Sequence, residues 1–365
     1  MQKKIIALAI AAAFAAPVAM ADTANVNIYG TVGMSADNVS GNTNASDNET
    51  RGRISSNNSF IGFKGSEDLG DGLSAVWQYE TAIAFDMQTT ADIPGSAVSP
   101  VQGGQSKRNT FGGLSSKTLG TLTLGLQDTP LKISTGPLAV FTNTLADYRT
   151  LFTTGPTSVR APSSAMYVSP SMGGFVARAL YGAQNEAGNT TAASDSSLYS
   201  VSGTYTQGPI FAVLAAENTK AVAAGNAITA TRASRAGFGY TFGDAKLGVA
   251  MENNDVSNNA GVKSVNVRSY YVSASYQMGL NSVKAAVTKR ADNKVLGNEN
   301  GATQLTIGVD RALSKRTTVY ALATRVQNEN NGTYGLAGGA TGIASVASAT
   351  DRSARGIALG MSHTF

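Results

Sequence analysis

The chain has 365 residues with a formal net charge of +5, no cysteine and one histidine, His363. Cys/His metal sites and histidine-dependent catalysis are thereby all but excluded, and the charge is too mild to point to nucleic acid. Charged residues are only 14% and mean hydropathy is close to neutral, the balance expected where each strand has one apolar and one wet face. Glycine, at 40 residues, exceeds the usual ~7%. A secreted protein of this size usually takes some disulfides, whereas a sheet closed on itself needs none.

In chain order, Lys3 and Lys4 form a basic start, Ile5 to Ala16 an apolar stretch, and Ala19-Met20-Ala21 a small-residue cleavage site. This predicts a signal peptide over residues 1–21, removed before Asp22, and a single domain over 22–365. Removing Lys3 and Lys4 with no acid takes the charge from +5 to +3. No later apolar run reaches the ~20 residues of a membrane helix. A membrane protein built without such helices must be a closed barrel, because lipid satisfies no backbone hydrogen bonds.

The rest of the chain repeats one unit: an alternating strand, a tight turn, a second alternating strand, then a long polar stretch. In Ile357-Ala358-Leu359-Gly360-Met361 the large apolar residues occupy every second place. Phe238, Tyr240 and Phe242 do the same, as do Leu305, Ile307 and Val309. Period two of this kind marks a strand between lipid and water. Tight turns are expected at Asp71-Gly72, Thr118-Leu119-Gly120, Met172-Gly173-Gly174, Gln207-Gly208-Pro209, Gly243-Asp244, Met278-Gly279 and Leu313-Ser314-Lys315. Loops are expected over 38–53, 88–106, 130–162, 185–196, 218–232, 253–263, 291–301 and 327–353. Seven turns and eight loops join sixteen strands, with short connections on one side only, as in outer-membrane barrels. A soluble β-sandwich would also show short alternating strands. It accounts for neither the one-sided loop lengths nor the aromatic Phe365.

Several segments resemble the general porins of β-proteobacteria and Neisseria. They are Asn27-Ile28-Tyr29-Gly30 and the segment from Ser59 through Gly65-Ser66-Glu67-Asp68-Leu69-Gly70. Arg108-Asn109-Thr110-Phe111-Gly112-Gly113-Leu114, Leu313-Ser314-Lys315-Arg316-Thr317 and the closing His363-Thr364-Phe365 complete the set. The resemblance spans the whole chain after residue 21. It implies an all-β, 16-stranded antiparallel transmembrane β-barrel, a homotrimer, and a third loop folded inward to narrow a diffusion channel. The chain departs from the family at Phe60, Ser74 and Leu126, where bases are frequent, so the family's common anion preference is not carried over with the motifs.

In such a channel, charges around a narrow wet neck set which solutes pass. A charge on the lipid face costs ~2–4 kcal/mol at the midplane, so strand parity selects luminal candidates. Ile61 and Phe63 turn Lys64 inward; Ala75, Trp77 and Tyr79 leave Gln78 and Glu80 inside. The same reasoning selects Arg178, Arg235, Lys284 and Arg290, though each could also be a solvated charge remote from the neck. Loop 130–162 carries Phe141, Leu145, Tyr148, Leu151 and Phe152, too apolar for a solvated loop, and is expected to form the constriction. The charged candidates on and beside it are Asp128, Asp147, Arg149 and Arg160. Asp147 is expected at the neck facing Lys64; pairing locally with Arg149 or capping a turn is the competing reading. The mostly basic candidates and the +3 charge lean toward anions.

Phe365 resembles the terminal signal read by the barrel-assembly machinery, and it also suits an aromatic girdle. Gly237-Phe238-Gly239-Tyr240-Thr241-Phe242-Gly243 looks superficially like a dinucleotide loop, but the spacing is wrong. The sequons at Asn48 and Asn189 are chance products of Asn- and Thr-rich loops. No cofactor, metal or nucleic acid is expected. The expected partners are outer-membrane lipid and lipopolysaccharide, further copies of the chain, and small hydrophilic solutes and ions. A barrel enzyme and a surface adhesin without an open channel are the competing functions.

Overall fold

A computed structural model describes residues 25–41, 49–83, 85, 108–153, 156–183, 196–222, 228–258, 260–297, 299–336 and 353–365. The expected leader, the expected loop 88–106 and all but Ser196 of 185–196 lie outside the described residues. The strands are β1 (Asn25–Gly41), β2 (Glu49–Ser56), β3 (Phe60–Gly70), β4 (Leu73–Ala82), β5 (Thr110–Ser116), β6 (Gly120–Asp128), β7 (Arg160–Val168) and β8 (Phe175–Ala183). They continue with β9 (Ser197–Gln207), β10 (Ile210–Val222), β11 (Ile228–Phe242), β12 (Ala245–Asn258) and β13 (Lys263–Met278). The last four are β14 (Asn281–Arg290), β15 (Ala302–Ala312), β16 (Thr317–Asn328) and β17 (Ser353–Thr364).

β1 pairs antiparallel with both β2 and β3, successive strands from β3 onward pair antiparallel, and β17 returns to pair with β1 from Thr31↔Thr364 to Ser40↔Arg355. Among the described residues every strand except β2, which pairs with β1 alone, has a partner on both sides, and a sheet closed on itself can span lipid. The seventeen segments form sixteen staves. β3 pairs with the first part of β1 and β2 with the second, so the two are one stave broken at Asn57–Ser59. Asn58 adopts a left-handed φ of 58° there. The Ser59 hydroxyl replaces the lost ladder, donating to the Gly33 carbonyl and accepting from the Gly33 amide, each at 2.9 Å. A β-carbon at Gly33 would sit 2.6 Å from the Asn57 carbonyl oxygen. Gly33→Ala is therefore expected to destabilise the barrel by about 1–3 kcal/mol, as overpacking does, read as a lower heat-denaturation midpoint in detergent.

The two faces separate as the alternation requires. Leu214 and Leu359 are 69% and 61% exposed on the outer face, whereas their neighbours Val213 and Ala358 are buried. Strands run further than the pattern suggests. β1 reaches Gly41, β2 starts at Glu49, β10 and β11 take most of 218–232, β12 continues to Asn258, and Arg160 to Pro162 belong to β7. Beyond the lipid belt both faces are wet, so period two fades while the hydrogen-bond ladder continues. The turn expected at Met278-Gly279 falls on Gly279-Leu280.

Candidate pore constriction

The segment joining β6 to β7 begins at Thr129, whose hydroxyl accepts from the Lys132 amide at 3.3 Å and caps the short helix α1 (Pro130–Ile133). A 3₁₀ turn (Gly136–Leu138) and a second short helix, α2 (Arg149–Phe152), follow. Leu131, Leu138, Phe141, Leu145, Leu151 and Phe152 are all buried, each contributing about 1.5–3 kcal/mol over an exposed position. They are buried against side chains turned away from the outer face. β-carbons at Gly237 and Gly239 would lie 2.7 and 2.8 Å from Leu138, one at Gly308 2.7 Å from Phe141, and one at Gly356 2.6 Å from Leu145. Gly237 and Gly239 are thus a bed for Leu138. Tyr148 and Phe152 pack around Tyr271, at ring separations of 4.5 and 6.4 Å.

Polar contacts hold the same segment. Arg235 donates through Nη1 to the Leu131 carbonyl at 2.6 Å and to Ser134 and Thr135, and through Nη2 to Ser158 at 2.8 Å. Its Nε and Nη2 also bind Glu252, Nε at 2.7 Å. Arg290 donates to the Leu151 carbonyl at 3.1 Å and to the Tyr334 hydroxyl at 2.8 Å. Ser273 donates to the Leu138 carbonyl at 2.6 Å, and Glu217 accepts from the Ser158 amide at 2.9 Å. Arg235 and Arg290 therefore point inward as parity predicts, yet both are buried beneath the loop and anchor it. Lys284 pairs with Asp310 at 2.6 Å, its ammonium 5.0 Å from the Phe141 ring centre. Parity sees the side of a strand but not what covers it.

The loop's helices and 3₁₀ turn pack along β8 to β15. Other candidates gather on the wall formed by β3 to β7. Asp128 binds Lys132 at 2.8 Å and Arg160 at 3.0 Å, and accepts from Asn109 at 3.0 Å. Glu80 accepts from Tyr29 at 2.8 Å, from Arg108 at 3.1 Å and from Gln78 at 3.1 Å. Arg108 stacks 4.0 Å from the Phe60 ring centre and donates to Asn58 at 2.6 Å. Lys64 is exposed, its ammonium 4.8 Å from the Tyr29 ring centre. Arg178 donates to Thr204 at 3.3 Å, close to the Gly173-Gly174 turn, and stands apart from this group.

Asp147 does not face Lys64. Its carboxylate accepts from the Asn143 amide at 2.8 Å, the Arg149 amide at 3.0 Å and Arg149 Nε at 2.9 Å. A carboxylate four residues from one unpaired amide and two from another is satisfied locally before it can reach across a lumen. Burial alone would lower the Arg149 guanidinium, but the hydrogen bond and charge of Asp147 hold it above its ordinary value. Lys132, absent from the sequence candidates, is lowered by burial against the opposing pull of Asp128. Arg108 was also missed as a charge, although it opens the Arg108–Leu114 motif. Lys132 carried one signal, its i,i+4 spacing from Asp128.

Taken together, Lys64, Arg108, Lys132, Arg149 and Arg160 face Glu80, Asp128 and Asp147, five bases to three acids. In one pair the base is clearly the more exposed partner. Arg149 keeps 26% of its side chain exposed while Asp147 keeps 4%. Arg108 and Glu80 are buried alike, and Lys132 and Arg160 are exposed to the same degree as Asp128.

A sealed barrel with a greasy exterior and a loop bedded on its inner wall is a pore-forming membrane protein. The family model described as Gram-negative porin matches residues 7–331, and the chain belongs to that family. It is an outer-membrane diffusion channel of the β-proteobacterial and neisserial type. Outer membrane porin protein 32 of Delftia acidovorans is 28% identical, over 100% of both chains. The major outer membrane protein P.IB of Neisseria gonorrhoeae is 35% identical over 36% of this chain and 34% of its own. An anion-selective porin from Comamonas acidovorans superposes with a TM-score of 0.77 at 25% identity, covering 94% of this chain and 100% of that one.

Proposed function

We propose that the channel favours small hydrophilic anions, and that Lys64, Lys132, Arg149 and Arg160 set this preference, with Arg108 behind them. The observation that carries the reading is the surplus of bases, five against three acids, with Lys64 exposed and Arg149 more exposed than its partner Asp147. The Comamonas porin named above is itself anion-selective, which supports the same reading. Loop 130–153 narrows the lumen by occupying the β8–β15 side. No reaction is catalysed; Arg235 and Glu252, the most deeply buried charges of the loop's bed, are spent on holding backbone. The family likeness supports a homotrimer, export with a leader ending at Ala21, and a terminal assembly signal at Phe365.

Reversal potential across a KCl gradient tests the preference. Wild-type channels are expected to give the sign of chloride permeation. Lys64→Glu is expected to move the potential toward the potassium side, whereas Asp147→Asn, acting inside its own turn, is expected to raise current noise more than it changes selectivity. A wild-type potential of cation sign would refute the anion reading.

A further inference from the structure

We infer that the single extra residue in the second stave, Asn58, is a specificity-determining element of the neck. The insertion turns Phe60 and Lys64 into the lumen, and the Asn58 side chain is the positioning residue that holds the Arg108 guanidinium against the wall. The inference rests on the pore reading above for its electrical readouts and on strand register for the rest.

The insertion is visible in the pairing. Between the pairs Met34↔Ser56 and Thr31↔Phe60, β1 has two residues, Val32 and Gly33, and the opposite stave has three, Asn57, Asn58 and Ser59. One extra residue on one strand is the count of a β-bulge, which bends the strand and re-aims its side chains. A slip of one residue sends a whole row to the other face. On the long-loop side of the break the odd-numbered residues face inward: Arg53 and Ser55 both bind the buried Asp37 carboxylate, while Ile54 between them is 55% exposed on the outer face. On the short-turn side the even-numbered ones do. The Tyr29 ring, whose hydroxyl reaches Glu80, covers Gly62, where a β-carbon would lie 2.6 Å from it. Phe60 and Lys64 share the face of Gly62; without the extra residue they would share that of Ile54 and turn to lipid.

The residue at the insertion matters for its side chain. Glycine adopts a φ of 58° freely, and asparagine tolerates it better than most. Glycine would satisfy the backbone, whereas asparagine adds an acceptor. Asn58 Oδ1 takes Arg108 Nη1 at 2.6 Å, a charge-assisted bond. Glu80 takes Nε at 3.1 Å, and the Phe60 ring centre lies 4.0 Å from the guanidinium. Arg108 precedes β5, which begins at Thr110, so side-chain contacts rather than the ladder place it. The support is itself fixed. The Asn57 amide donates to the Gly33 carbonyl at 2.8 Å, and Asn57 Nδ2 to Ser35 at 2.9 Å and to Tyr320 at 3.0 Å. The Ile83 amide donates to the Ser59 carbonyl at 2.9 Å. Held this way, the Arg108 side chain is 7% exposed; released, it would enter the bore as a mobile positive charge.

The test is a double-substitution cycle on the folded full chain. It reads reversal potential, single-channel conductance and the rate at which an arginine-selective dicarbonyl labels Arg108. Asn58→Gly keeps the left-handed turn and removes the acceptor. It is expected to keep the wild-type heat-denaturation midpoint and to lower conductance. Labelling of Arg108 is expected to quicken roughly threefold and the chloride-to-potassium permeability ratio to rise about twofold. Asn58→Asp, which restores an acceptor at the same φ, is expected to return labelling and conductance to wild type. In an Arg108→Gln background, Asn58→Gly is expected to change neither conductance nor potential. Wild-type labelling and conductance in Asn58→Gly would overturn the assignment. So would an equal electrical effect of that change with and without Arg108, which would mark a purely structural turn. Because the chain has no cysteine, single substitutions to cysteine test the two faces. A charged thiosulfonate is expected to block current through Arg53→Cys and Lys64→Cys and to leave Ile54→Cys and Phe63→Cys unaffected. Block through Phe63→Cys in place of Lys64→Cys would overturn the insertion. A wild-type potential of cation sign counts against the anion reading alone and leaves labelling and the cycle to decide this one.

Discussion

Arg235→Ala is expected to widen and destabilise the channel at once, with a larger and noisier single-channel current and a barrel weakened by about 3–5 kcal/mol. The stability loss follows from stranding Glu252, fully buried beside the removed guanidinium, without its counter-charge. The conductance change follows from a separate set of bonds: Arg235 reaches the Leu131 carbonyl, Ser134, Thr135 and Ser158, which lie at both ends of the loop. A double substitution separates the two effects. Arg235→Met with Glu252→Leu replaces the ion pair by apolar volume, a change often neutral for stability, yet it restores none of the bonds to the loop. It is expected to recover the heat-denaturation midpoint while keeping the enlarged current. Wild-type conductance in both variants would show that the apolar bed under Leu138 and Phe141 holds the loop without help.

The second large effect is expected at Arg160. Replacing it by glutamate places two carboxylates, the new one and Asp128, where an ion pair now stands at 3.0 Å. Unit charges ~4 Å apart interact by about 4 kcal/mol at an effective dielectric near 20, ample to reverse the sign of a narrow neck. The permeability ratio of chloride to potassium is expected to fall at least tenfold, or about 1.4 kcal/mol, measured as reversal potential in planar bilayers. Arg160→Gln is expected to fall between, and high salt to shrink every difference, because exposed charges are screened over ~10 Å at 0.1 M. Unaltered selectivity in Arg160→Glu would place the selective neck elsewhere along the lumen.

The barrel was readable because its physics is periodic. One greasy face and one wet face leave a two-residue rhythm wherever a strand crosses lipid, and Leu359 beside Ala358 shows it as clearly in the fold as in the chain. The rhythm fails at the strand ends of β1, β10 and β12, where both faces are wet. It gives no warning of the break at Asn57–Ser59, which depends on one serine hydroxyl finding Gly33 across the sheet. The apolar residues of the loop were likewise legible as a segment that had to be covered. What covers it was not. Arg235 and Arg290 have the same parity as a pore-lining base, and only the path of the loop decides that they are anchors. Asp147 misled for the opposite reason, since its partners lie two and four residues away while the chosen partner lay across the lumen. Lys132 escaped notice because a loop offers no alternation to judge it by.

The seam between β1 and β17 joins Thr31 to Thr364, with Gly30 and Phe365 exchanging two backbone hydrogen bonds of 3.2 Å beside it. The free side of β1 therefore waits for a partner synthesised at the far end of the polypeptide, and no shorter intermediate can satisfy it within the cylinder. Sealing becomes the final act of biogenesis, and until then an unzipped ribbon needs an escort wherever it meets the bilayer.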